Sequence, residues 1–256
     1  MLVLCYHALS DSWPAALSIP SASFEIQVDY VLERGYRAAT FTEALTAPPA
    51  PRTVVFTFDD GFRSVLEYAL PILSWRGLRA TVFVPTEFPG QKAPLCWEGI
   101  DHWRGGPHEV ELAPMSWDDL RGLQRQGWEV GSHTCSHPRL TQLDDRRLLD
   151  ELTRSRDRCE AELGVRCLSL AYPYGDVDRR VIGAARRAGY SFAATLPDRL
   201  PRVRDALEWP RIGVYSGDPL PRFQAKVAPV RRWLIGRPAG EWLLRRQPLS
   251  HMRTVP

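Results

Sequence analysis

The sequence predicts an α/β fold, a single closed or nearly closed β/α barrel. Apolar runs rich in β-branched and aromatic residues alternate with stretches of helical spacing, a pattern that implies parallel strands joined by right-handed crossovers. The 256 residues, 44% hydrophobic and 25% charged, are enough for one large domain of ordinary globular composition. Residues that carry chemistry fall just after separate apolar runs, as they do at the C-terminal ends of barrel strands.

Leu2 to Tyr6 reads as the opening strand and delivers His7 at its end. After a polar loop with Pro14 and Pro20, Ser23 is placed to cap a helix running to about Arg34, with Phe24, Val28, Val31 and Leu32 on one face. Gly35 stops it, Tyr36 to Ala39 reads as a short strand and Thr42 to Thr46 as a short helix. The Pro-rich run Pro48 to Pro51 leads into the strand Thr53-Val54-Val55-Phe56, uncharged and suited to burial. Arg63 to Trp75 has a core-facing helical pattern that Pro71 bends or divides, and Ala80 to Val84 is another buried strand.

Residues Thr86 to Met115 break the rhythm with Pro, Gly, Trp97 and Trp103, and are expected to form an ordered wall. Ser116-Trp117-Asp118-Asp119 has the form of a capping box for a helix ending at Gly127. Trp128 to Gly131 is the next strand and supplies Ser132 to His137. Thr141 or Asp144 begins a long charged helix to Leu163, and Cys167 to Leu170 is a strand entering Ala171 to Gly175. Asp176 is expected to cap a helix to Ala188; Ser191 to Ala194 and Arg211 to Val214 are the last strands, and Pro219 to Leu234 a terminal helix. The expected organisation is one barrel domain over residues 1–235 and a basic tail over 236–256, without internal repeats.

A net charge of +3, from 33 basic and 30 acidic residues, makes no general case for nucleic acid. Arginines gather near the end, at Arg231, Arg232, Arg237, Arg245, Arg246 and Arg253. They suit a solvated helix face, or a weak association with an anionic lipid or polymer surface. Five scattered cysteines with no C-x-x-C spacing argue for reduced thiols rather than a disulfide framework. With no signal-type start and no apolar run long enough for a membrane span, the expectation is a soluble, cytoplasmic protein.

Thr57-Phe58-Asp59-Asp60-Gly61 ends its strand in two adjacent carboxylates and a glycine. Side chains of neighbouring strand residues point in opposite directions, so one acid can serve a metal and the other a proton. The same turn also suits plain capping of the next helix by Asp60. His133 and His137 have the His-x-x-x-His spacing that sets two imidazoles on one face of a helical turn, although surface histidines share it. Two histidines and an aspartate with an open position make the donor set of a catalytic divalent-metal site, zinc first, with cobalt, nickel or manganese also accepted.

Thr-Phe-Asp-Asp-Gly at 57–61 and His-Thr-x-x-His at 133–137 resemble the first two motifs of the polysaccharide deacetylases, the NodB-type carbohydrate esterases. Tyr-Pro-Tyr-Gly at 172–175 resembles the third, in the family's order. The resemblance implies a distorted (β/α)7 barrel and metal-dependent removal of an acetyl group from an N-acetylated amino sugar in a polysaccharide or glycoconjugate. It implies Asp59 as general base, Asp60, His133 and His137 as ligands of one divalent cation, and the Tyr174 backbone N–H as an oxyanion donor.

The chain departs from the family pattern in two places. The family's late Leu-x-His motif has only His251 to offer, in a tail with no preceding strand, so His7 becomes the candidate general acid. Its Tyr6-His7 setting resembles the branch that includes poly-N-acetylglucosamine deacetylases, whose motifs are circularly permuted; a buried structural histidine is the other reading. The arginine that orients the base in motif three is replaced by Ala171 and Tyr172, and Arg211 is the candidate to reach Asp59 instead. Two other functions stay open: a deacylase or deformylase of a small or lipid-linked glycosyl amide, and a carbohydrate-binding barrel without catalysis.

Overall fold

The computed structural model describes residues 1–48, 50–196 and 205–228. Its elements are β1 (Leu2–Tyr6), β2 (Ala8–Leu9), β3 (Ser18–Ile19), α1 (Ser21–Glu33), β4 (Arg37–Ala38), α2 (Phe41–Thr46) and β5 (Thr53–Phe58). A π-helical turn (Val65–Ala69) then runs into α3 (Leu70–Trp75), followed by β6 (Thr81–Val84), α4 (Trp117–Arg125), β7 (Glu129–Ser132) and α5 (Asp145–Leu163). β8 (Ser169–Ala171), α6 (Arg179–Ala188), β9 (Phe192–Thr195), β10 (Trp209–Pro210), β11 (Ile212–Gly213) and α7 (Leu220–Val227) complete the order.

The main sheet runs β10-β9-β8-β7-β6-β5-β1-β11, all parallel, with β4 beside the start of β5. Only Arg211 separates β10 from β11. One extended segment therefore pairs with β9 through Trp209 and Pro210, and with β1 through Ile212 and Gly213. Counted as one strand, it joins the two edges and makes a nearly closed ring of seven, the expected distorted (β/α)7 barrel. A separate two-stranded sheet, β2 with β3, follows β1 and has no counterpart in the sequence reading.

Period-2 alternation sorts the strand residues into two layers. Leu2, Leu4, Tyr6, Val54, Phe56, Phe58, Val82 and Val84 are fully buried against Phe24, Val28 and Val31 of α1, Leu120 and Leu123 of α4, and Leu148 and Leu152 of α5. Val3, Val55, Phe83, Ala171 and Ala194 fill the interior with Phe41. Each large side chain so buried contributes roughly 1.5–3 kcal/mol. The inward alternation continues past the strands: Val3-Cys5 leads to His7, Val55-Thr57 to Asp59, and Gly131 to His133. The hydrophobic pattern that builds the barrel thus aims these polar groups into its mouth.

Several helix starts differ from expectation. α1 begins at Ser21, not after Ser23, because Asp11 reaches across the loop and accepts from the Ser21 N–H at 2.9 Å. α6 is capped by Asp178, which accepts the Val181 N–H at 2.8 Å; Asp176 instead accepts the Thr141 N–H at 2.9 Å. The Ser116–Asp119 capping box forms, and Asp144 caps α5. Of the terminal helix only Leu220–Val227 is described; its extension to Leu234, the tail 236–256 and His251 lie outside the described residues.

The Thr86–Met115 segment is ordered, as its tryptophans imply. Leu95 N–H donates to the Leu112 carbonyl at 2.8 Å and Met115 N–H to the Gly61 carbonyl at 2.9 Å. Trp13, Phe62, Leu95, Ile100 and Leu112 form a separate buried cluster beneath it, with Trp97 and Trp103 at the margin. No helix among the described residues is long and apolar enough to cross a membrane.

Candidate active site

Five non-glycine residues among those described have positive φ: Arg52, Asp60, Thr134, His137 and Tyr174. All but Arg52 lie in the three motifs. A side chain held in the left-handed region costs about 1–2 kcal/mol, and such strain collects at functional sites. At the end of β5, Asp59 keeps the inward direction of Thr57, while the chain turns at Asp60 (φ 72°) and Gly61 (φ 68°). Both acids consequently face one cleft, rather than opposite sides as simple strand alternation predicts. The His133–His137 segment is not a helical turn either. Left-handed residues at Thr134 and His137 curl it, with the His137 N–H on Thr134 Oγ1 at 3.2 Å.

These turns bring Asp60, His133 and His137 together, all buried. Asp60 Oδ1 lies 3.4 Å from His133 Nε2 and 3.3 Å from His137 Nε2. That is longer than a charge-assisted hydrogen bond. It matches the separation, about 3.4 Å, of donors each about 2.1 Å from one tetrahedral cation. Asp60 Oδ1 is also buried without a hydrogen-bond partner among the described residues. His133 Nδ1–H donates to the Ala171 carbonyl at 2.7 Å, which leaves its Nε2 lone pair facing the cleft. The set fits a divalent cation.

Burial opposes charge on each acid, but the basic groups around them prevail. Asp60 is pushed up by desolvation and pulled well below the usual carboxylate range by His133 and His137. Burial lowers His137, whereas for His133 it is outweighed by Asp59 and Asp60, so its pKa rises.

Asp59, 1% exposed, is gripped by Arg211: Nη1 donates to Oδ1 at 2.6 Å and Nη2 to Oδ2 at 2.7 Å. Arg211 Nη1 also reaches Thr57 Oγ1 at 3.0 Å, and the Cys5 thiol donates to Asp59 Oδ2 at 3.3 Å. Burial alone would raise the Asp59 pKa; Arg211 first, then His133, holds it below the ordinary value. Asp59 Oδ2 lies 4.0 Å from His133 Nε2, so the acid borders the triad.

His7 borders the same cleft, half-buried, with a ligand nitrogen in one cluster with Cys5 and Asp59, its ring stacked on Tyr215 at 6.2 Å, and its Nδ1 buried without a hydrogen-bond partner among the described residues. The Tyr174 ring meets the His137 ring edge-on at 4.7 Å, and its hydroxyl donates to the Glu98 carbonyl at 3.1 Å. Burial pushes that hydroxyl's pKa up to about 12. All seven residues singled out in the sequence therefore gather around one cleft. Cys5, Thr57 and Trp97, which stacks on His137 at 4.2 Å, were not foreseen there. A signal existed for two of them, since Cys5 shares a strand face with His7 and Thr57 with Asp59.

Fold and site together define a nearly closed β/α barrel with a candidate cation triad and an arginine-paired acid at its strand ends. The chain belongs to the polysaccharide deacetylase family, whose model matches residues 46–193, more than half of its length. That span holds Asp59, Asp60, His133, His137 and Tyr174, while His7 and Arg211 lie outside it. The YxkH protein of Bacillus subtilis (strain 168) is 25% identical over 198 residues, covering 75% of this chain and 63% of that protein. The poly-beta-1,6-N-acetyl-D-glucosamine N-deacetylase of Escherichia coli (strain K12) is 22% identical over 245 residues, covering 84% of this chain and 36% of the enzyme. The chain thus spans less than two thirds of either relative. The solved structure of IcaB from Ammonifex degensii superposes with a TM-score of 0.71 at 27% identity, covering 88% of this chain and 95% of that one.

Proposed function

We propose that the protein is a metal-dependent hydrolase that removes the N-acetyl group from an amino sugar in a polysaccharide or glycoconjugate, giving acetate and a free amine. The observation that carries this is the shared cleft, where an arginine-held Asp59 stands 4.0 Å from a ligand of the Asp60, His133, His137 triad. The substrate named for the Escherichia coli relative supports the choice of an N-acetylated glycan.

A divalent cation on the triad, zinc by donor set and with cobalt, nickel or manganese compatible, would supply Lewis acidity to the amide carbonyl and acidify water beside it. Asp59 takes the proton as the water oxygen bonds to the carbonyl carbon. Arg211 keeps that carboxylate anionic and locks its plane. The Tyr174 backbone, turned at φ 59°, offers its N–H to the developing oxyanion. An amide nitrogen leaves only when protonated, and His7, clustered with Cys5 and Asp59, gives that proton as the C–N bond breaks.

The proposal is tested by incubating the protein with N-acetylglucosamine oligomers and with small N-acyl glycosyl conjugates, and identifying the released acid by NMR. Acetate from oligomers supports it. Formate, or release from the small conjugates alone, would transfer the site to the other acyl substrates. Glycan binding without any release would make the barrel a binding module.

A further inference from the structure

We propose that Trp97 is a positioning residue for His137, fixing that imidazole by ring stacking and thereby setting the cation affinity of the triad. The inference rests on the reading that Asp60, His133 and His137 hold a cation.

A histidine ligand is ordinarily oriented through its second ring nitrogen, which donates to a carbonyl or carboxylate. His133 follows the rule, with Nδ1 on the Ala171 carbonyl at 2.7 Å. His137 does not: its Nδ1 is buried with no hydrogen-bond partner among the described residues. Aromatic faces surround it instead. Trp97 lies nearly parallel at 4.2 Å (23°), Tyr174 meets it edge-on at 4.7 Å (69°), and His133 at 4.8 Å (70°). Its backbone, at φ 64°, offers little intrinsic preference for this placement.

Trp97 is itself held firmly. Phe88 packs against it edge-on at 5.2 Å, and its carbonyl accepts the Ile100 and Asp101 N–H groups at 3.1 and 3.0 Å. The next residue closes a loop of contacts back to the site. The Glu98 carbonyl accepts the Tyr174 hydroxyl, and the Glu98 carboxylate pairs at 2.9 Å with Arg139, whose guanidinium lies 4.3 Å over the Tyr174 ring. Residues 97–98, 137–139 and 174 thus brace one another from three separate segments. A stacked pair adds about 0.5–1.5 kcal/mol beyond area burial, which is ample to select one ring orientation.

The test uses the full chain, stripped by chelation, with Co2+ titrated by visible absorption and Zn2+ by competition with a chromophoric chelator. Trp97→Ala is expected to weaken both ions about 10-fold, where the energy of a stacked pair and the usual effect of losing an orienting partner meet, and to shift the cobalt bands. Trp97→Phe, which keeps a ring, is expected to stay within a few-fold of wild type. Trp97→Leu, which keeps bulk without a ring plane, is expected to behave like Trp97→Ala. Thermal unfolding of the metal-free proteins checks that each variant folds. Wild-type affinity and spectrum in Trp97→Ala would overturn the inference, as would wild-type behaviour of Trp97→Leu. Unchanged metal binding with a raised KM for glycans would instead make Trp97 a substrate wall. A wild-type protein that binds neither ion would overturn the metal reading and this inference with it.

Discussion

Arg211 holds both carboxylate oxygens of Asp59, at 2.6 and 2.7 Å, across 152 positions of sequence. It occupies the single position between β10 and β11, where the chain passes from pairing with β9 to pairing with β1. The segment that closes the barrel therefore also delivers the guanidinium. Ala171 and Tyr172 stand where the family resemblance leads one to expect the base-orienting arginine, and the contact with Asp59 is made here by Arg211.

Arg211→Met is expected to destabilise the metal-free protein by about 3–5 kcal/mol, because it strands a buried carboxylate. Arg211→Lys, which keeps the charge and loses the fork, should fall between. Denaturant unfolding measures both. The pH effect has a definite sign. Burial raises the Asp59 pKa and Arg211 lowers it, so removing Arg211 raises it. If Asp59 is the base, as proposed, the acid limb of the rate profile then moves to higher pH. In the intact protein Asp59 titrates below its unfolded value of about 3.9, so its stabilising contribution is present above that pH and fades as pH falls below it.

Alanine at Asp60, His133 or His137 is expected to remove stoichiometric binding of a divalent cation, measured by metal analysis after dialysis. The same variants should fold, since none of the three side chains belongs to the apolar core.

His7→Gln is expected to lower kcat about 10²–10⁴-fold, the usual size of a general-acid contribution, with metal affinity unchanged. Single-turnover assays with an activated leaving group, which needs less protonation, should recover most of the loss. A purely structural His7 would show no such recovery.

Gly131→Ala tests how the scaffold places the site. A Cβ there would lie 2.5 Å from Ser169 Oγ and 2.6 Å from the Phe83 ring, inside the barrel and two residues before His133. The expected cost is about 1–3 kcal/mol, with weakened metal binding as β7 shifts. Thermal unfolding and a cobalt titration read the two effects.

Much of this was legible in the residues. The uncharged apolar runs Leu2 to Tyr6 and Thr53 to Phe56 identify barrel strands, and the rule that chemistry sits after them picks out His7, Asp59 and His133. What escaped was backbone geometry. Nothing in the spelling of Asp60, Thr134 or His137 announces positive φ, yet the turn at Asp60 brings it to the histidines where strand alternation would have pointed it away from Asp59, and the curl at Thr134 and His137 does what a helical turn was expected to do. Capping by Asp11 and the stacking of Trp97 on His137 escaped for a related reason. Both are contacts between segments distant in sequence, and neither shows as a local pattern.

The most direct test of the central claim is acetate release from N-acetylglucosamine oligomers by wild-type protein, by protein stripped with chelator and then reloaded, and by Asp59→Asn. The account predicts activity that disappears on stripping, returns with zinc or cobalt, and falls at least about 10²-fold in Asp59→Asn while cation binding persists. Activity indifferent both to chelation and to Asp59→Asn would contradict it.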